Sequence, residues 1–198
     1  MKFRASLALI VFTLACSLCA DDALQAGPAQ LAVPDVQVVD QSGQRLRFNT
    51  DIVKGRIAVV NGFFTTCTAF CPITQENLAH LAKVLGDRMG RDVVIVSVSV
   101  DPENDTPERM KAWGEKFHIA QGWTLVSGKK EEVQTLLKSL GLYVETPQRH
   151  QSALMIGSQK TGWVRASSWS SPGKLVKVLD GLGSAGAPAG AGSSASAK

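Results

Sequence analysis

Two β-branched apolar runs, Ile57 to Phe64 and Val93 to Val100, stand on either side of a segment patterned as a helix. In that segment Leu78, Leu81, Ala82, Leu85 and Met89 recur at steps of three and four, and Gly90 closes it. Strand, helix, strand at this spacing is a βαβ unit, so the two strands must run parallel. The second run is solid Val and Ile through Val96 and alternates with serine afterwards. A central strand buried on both faces, with its far end at a functional edge, reads this way.

The remaining elements extend this unit. Val36 to Asp40 and Arg45 to Phe48 flank a glycine-bearing turn and predict an N-terminal β-hairpin. Thr106-Pro107 opens a second helix lined by Met110, Trp113 and Phe117. Trp123 to Val126 reads as a short strand, and Val133, Leu136, Leu137 and Leu140 as a helix stopped by Gly141. Ser152 to Ile156 and Trp163 to Ser167 form an antiparallel hairpin, and Leu175 to Leu182 a last amphipathic helix after Ser171-Pro172. The order predicts an α/β domain over residues 35–182, thioredoxin-like, with a central mixed sheet flanked by helices.

The ends of the chain have other compositions. Lys2 and Arg4 precede an apolar stretch, with small residues before Asp21-Asp22, which is the pattern of an export signal. Residues 1–20 are therefore expected to be a signal peptide, removed after Ala20 or, alternatively, after Ser17 or Cys19. The competing reading is a retained anchor, for which the uncharged run from Ala5 to Ala20 is short against the roughly 17–25 residues of a span. Either way the body is exported. It is expected in the periplasm, soluble or tethered to the inner membrane by residues 5–20. Residues 21–34 read as a flexible lead-in, and residues 183–198, almost all Gly, Ala and Ser, as a disordered tail. The formal charge of +4 includes Lys2 and Arg4; without them 19 basic residues face 17 acidic ones, or +2. That balance argues against nucleic acid as a partner.

Of four cysteines, Cys16 and Cys19 lie in the leader, leaving Cys67 and Cys71. They sit where the first buried strand hands over to a helix. Pro72 suits the first helical position, which predicts Cys71 as the N-cap with a helix dipole favouring its thiolate. A bridge between cysteines four apart would close only a tiny loop and add little stability. Three chemistries stay open for the pair: thiol–disulfide exchange on partner cysteines, peroxide reduction, and binding of a soft metal with a third ligand. Of the three histidines, His80 lies within the first helix and His118 at the end of the second. His80 reads as a partly exposed helix residue, and His118 as structural or solvated. His150 directly precedes a strand whose entering loop, in a thioredoxin-like sheet, lies beside the dithiol. Asp101 reads either as a neighbour of the site or as a turn former before Pro102.

Three segments together resemble a known family. Phe63-Phe64-Thr65-Thr66-Cys67-Thr68-Ala69-Phe70-Cys71-Pro72-Ile73-Thr74 is similar to the copper-site motif of the Sco/SenC copper chaperones. The run from Ser97 to Glu108 is similar to that family's second signature, and His150-Gln151-Ser152-Ala153 to the segment carrying its histidine ligand. The resemblance spans Val36 to Leu182. It implies a thioredoxin-like metallochaperone, rather than an enzyme, that binds copper, Cu(I) or Cu(II), through Cys67, Cys71 and His150. It implies delivery of copper to, or maintenance of the thiols of, the copper centre of cytochrome c oxidase or a related respiratory enzyme, with a subunit of that enzyme as recipient and a thiol reductant and a copper donor as further partners. The chain departs from the family at Thr68, Ala69 and Phe70, where a proline and an acidic residue are frequent, and at Arg149, where an aspartate is common. Both departures remove negative charge.

Overall fold

The computed structural model describes residues 28–185. The expected leader, the first half of the lead-in (residues 21–27) and residues 186–198 lie outside them. In chain order the described residues form strands β1 (Gln37–Asp40), β2 (Arg45–Arg47) and β3 (Ile57–Phe63), then helix α1 (Phe70–Leu85) and strand β4 (Val93–Ser99). They continue with α2 (Pro107–Lys116), β5 (Trp123–Ser127), α3 (Lys130–Ser139), β6 (Ala153–Ser158), β7 (Gly162–Ser167) and α4 (Pro172–Ala185). The helix expected to stop at Leu182 runs on to Ala185, so residues 183–185 of the expected tail are helical and the rest of it lies outside the described residues. No helix among the described residues is long and apolar enough to cross a membrane.

One seven-stranded sheet runs in the order β2-β1-β5-β4-β3-β6-β7. The parallel heart is β3, β4 and β5, with Val59 opposite Ile95 and Ile95 opposite Trp123. The two hairpins close the edges: β1 lies antiparallel against β5, and β6 antiparallel against β3. Alternation along β3 and β4 then assigns each residue a face. Val59 and Ile95 meet Leu78, Leu81 and Leu179 from α1 and α4. Val60 and Val96 meet Val133, Leu136 and Leu137 from α3 on the other side. Every residue of β4 is buried, which accounts for its unbroken apolar run.

Two local features were not legible in the chain. Phe48–Val53 forms a π-helical turn rather than continuing a strand. It is held by Asp35, whose Oδ1 accepts the Asn49 and Thr50 N–H groups at 2.8 and 3.1 Å. The other is a close approach of Gly122 to the backbone of Gly90, where the chain turns into β5. Gly122 has φ +84, and a Cβ there would collide with Gly90. Gly122→Ala is expected to cost more than about 2 kcal/mol, since strain and clash add. Urea denaturation checks this; an unchanged midpoint would mean that the turn relaxes freely.

Candidate metal centre

β3 ends at Phe63, and the chain turns sharply: the Cys67 N–H donates to the Phe64 carbonyl at 3.1 Å. This places Cys67 over the N-terminus of α1, where its sulfur accepts the Cys71 N–H at 3.4 Å. Cys71 is therefore not the N-cap. α1 starts at Phe70 with Ala69 as its flanking residue, and Pro72 is the third helical residue. Proline is tolerated there because the N–H groups of the first turn have no intrahelical partner.

The expected thiolate at Cys71 is corrected as well. Its side chain is 1% exposed and packs with Phe63, Phe64, Met110 and Trp113. Burial first, and the adjacent Cys67 sulfur second, push the Cys71 thiol well above its ordinary range.

His150 reaches the same spot from the loop before β6. A short 3-10 turn, Pro147–Arg149, delivers it, and its Nε2 lies 3.1 Å from the Cys71 sulfur. Its Nδ1 lies 3.2 Å from the Pro147 carbonyl, which can only accept, so Nδ1 carries the proton and Nε2 the lone pair. Burial lowers the His150 pKa, which favours the neutral ring. The Phe64 ring meets it edge to face at 5.4 Å and restrains its orientation. The three donor atoms of Cys67, Cys71 and His150 all lie within 4.8 Å of one another. Donors sharing one metal, with bonds near 2.3 Å to sulfur and 2.0 Å to nitrogen, stand roughly 3.5–4 Å apart. The Cys71–His150 distance of 3.1 Å is shorter than this and the outer limit of 4.8 Å is longer, so the three donors must open on one side and draw in on another to share an ion.

The other sequence candidates stay outside. His80 is exposed on α1, and His118 is exposed two residues past the end of α2, in a left-handed conformation. Asp101 forms a turn, its carboxylate accepting the Asn104 side-chain amide at 2.9 and 3.0 Å. The residue that sequence reasoning missed is Asp105, which is 2% exposed. Its Oδ1 accepts both the N–H and the hydroxyl of Thr65, at 3.0 and 2.6 Å, and its Oδ2 accepts the Ser99 hydroxyl at 2.6 Å. Asp105 thereby ties the loop that presents Cys67 to the end of β4. Its one sequence signal, an acidic residue just before the Thr106-Pro107 helix start, is common to ordinary turns. Thr68, Ala69, Phe70 and Arg149 are all exposed. The departures noted in the sequence therefore alter the surface around the cluster and leave the three donors in place.

An open mixed sheet with a buried dithiol and an imidazole at the head of its first parallel helix defines a thioredoxin-like protein with a candidate metal centre. The SCO1/SenC family profile matches residues 25–165, and the chain belongs to that family. Among its relatives is a Stutzerimonas stutzeri protein that bears the name of a candidate copper-binding protein. It is 32% identical over 115 residues, which are 58% of this chain and 54% of that one. This chain spans about half or less of the length of the curated relatives it matches first. Among solved structures, a SCO1/SenC family lipoprotein from Bacillus anthracis is 27% identical with a TM-score of 0.68, over 81% of this chain and 99% of that one. BsSco, described as a member of the Sco family of cytochrome c oxidase assembly proteins, is 26% identical with a TM-score of 0.66, over 82% and 98%.

Proposed function

We propose that this chain is a copper metallochaperone whose cargo is held by Cys67, Cys71 and His150. The observation that carries this reading is the convergence of two sulfurs and one imidazole nitrogen, from two segments far apart in the chain, within 4.8 Å. Two thiolates and a neutral imidazole suit Cu(I), and their two negative charges also balance Cu(II). Loading requires both thiols reduced and releases their protons, so a Cys67–Cys71 disulfide and a bound copper exclude one another. In an exported protein a separate thiol reductant must then prepare the site, and a copper donor must fill it. The names of the S. stutzeri relative and of BsSco support copper as the cargo and the copper centre of cytochrome c oxidase, or of a related respiratory enzyme, as its destination. The B. anthracis lipoprotein supports a body held at the outer face of a membrane.

The exchange alternative asks for an accessible, low-pKa thiolate. Both sulfurs are buried, and Cys71 is shifted the wrong way. The test is His150→Ala. On addition of Cu(II) to the reduced protein, thiolate-to-copper absorption bands are expected in the wild type. The variant should hold copper at least about tenfold more weakly. Full loading of the variant would remove the histidine from the set, and dithiol reductase turnover surviving its loss would favour the exchange enzyme.

A further inference from the structure

Four large apolar side chains among the described residues are strongly exposed, and three of them stand in one place. Phe70 and Ile73, 48% and 53% exposed, share a face of the first turns of α1, and Trp169, 60% exposed, lies in the turn between β7 and α4. The Phe70 and Trp169 rings are 6.0 Å apart. Scattered exposed apolar residues are ordinary; a contiguous group beside a reactive cluster marks an interaction site.

The platform is built rather than frayed. The Asn77 side-chain amide donates to the carbonyls of Ser168 and Ser170, at 2.7 and 2.9 Å, fastening the chain to α1 on both sides of Trp169. Thr74 adds a hydroxyl contact to Ser168 at 3.1 Å. The residues flanking the three in the chain, Thr68, Ala69, Ser170 and Ser171, carry no charge.

We infer that Phe70, Ile73 and Trp169 form the docking surface for the protein that accepts the copper, and that it recognises an uncharged, apolar surface around that partner's own thiolate or imidazole ligands. This rests on the copper reading above. The occupant follows from how the metal must leave. An incoming ligand has to come within about 2.3 Å of the ion before the old bonds are all broken. Cys67 and Cys71 are buried, and Phe70 is the exposed residue next to Cys71. A partner delivering a ligand there must cover it. No electron moves in the exchange: each acceptor thiol gives up its proton as it bonds Cu(I), and the released Cys67 and Cys71 take protons back. A lipid face would pair such aromatics with basic residues, which the flanking positions lack.

The probe is the soluble copper-binding domain of a cytochrome c oxidase subunit, reduced and copper-free. Transfer of Cu(I) to it is followed by stopped flow from the wild type, from Phe70→Ser and from Trp169→Ser, with copper removal by dithiothreitol as reference. The expected result is unchanged copper loading and unchanged removal by dithiothreitol in all three proteins. Transfer to the domain should fall at least roughly tenfold in each variant, as for loss of an aromatic anchor. Equal transfer by all three proteins overturns the inference alone. Binding of the wild type to phosphatidylcholine vesicles, or its self-association, abolished by the same substitutions, reassigns the platform and overturns it too. Failure of the wild type to load or to transfer copper defeats the copper reading beneath it.

Discussion

Cys71→Ser is expected to abolish stable copper binding while leaving a folded protein. Cys71 is the one donor that touches both others, its N–H meeting the Cys67 sulfur at 3.4 Å and its own sulfur the His150 nitrogen at 3.1 Å. A serine hydroxyl is a hard, protonated oxygen, a poor ligand for a soft ion. It can still donate to the His150 ring in place of the thiol, so the apo fold should lose no more than about 1–2 kcal/mol. The affinity for Cu(I) should drop by more than about a hundredfold, beyond what loss of a mere supporting partner costs. Competition with a colorimetric chelator measures it. In the wild type, the raised Cys71 pKa adds a signature. Metal must displace a firmly held proton, so apparent affinity should climb with pH through the neutral range, by up to about tenfold per unit for that proton. A variant that keeps wild-type affinity, or a flat pH profile, would take Cys71 out of the site.

The second large effect belongs to a residue that touches no metal. Asp105→Ala leaves the half-buried Thr65 N–H and hydroxyl and the buried Ser99 hydroxyl without their acceptor. Stranded polar groups of this kind should cost about 2–4 kcal/mol in all, a fall in melting temperature of roughly 5–15 °C. Copper affinity should fall too, because the loop that presents Cys67 loses its anchor. Asp105→Asn separates shape from charge. Burial raises the Asp105 pKa above its ordinary value despite its three donors. A carboxyl raised in the folded state contributes stability that is complete below about pH 3.9 and is lost as pH rises through the raised value. Asp105→Asn should remove that slope from the stability profile above about pH 4, and should melt above Asp105→Ala. If Asp105→Ala melts with the wild type, the loop is held by something else.

The elements were readable because each rests on local pattern: the β-branched runs of β3 and β4, and the three–four spacing of α1 and α3. The hairpins were readable from their turns, and the alternation of βα units forced the parallel heart of the sheet. What escaped rests on contacts between distant residues. The π-helical turn at Phe48–Val53 depends on Asp35, and the Cys67 loop on Asp105, 40 positions from its partner Thr65. The start of α1 was misplaced because proline fits anywhere in a first turn, so Pro72 did not mark its first residue. The state of Cys71 was misjudged for a related reason: dipole position can be read from sequence, but burial by Met110 and Trp113 cannot. Of the candidate ligands, spacing singled out the two cysteines, whereas His150 stood apart only by family resemblance and its place before a strand. The platform of Phe70 and Trp169 joins residues 99 positions apart and becomes visible only once Asn77 fastens the two segments.

The central claim is that one copper sits between two sulfurs and one imidazole. X-ray absorption at the copper edge of the reduced, Cu(I)-loaded protein tests it most directly. The predicted spectrum has two sulfur scatterers near about 2.3 Å and one nitrogen near about 2.0 Å with the outer-shell scattering of an imidazole ring. A shell built of nitrogen and oxygen alone, or of sulfur with no imidazole, would contradict it.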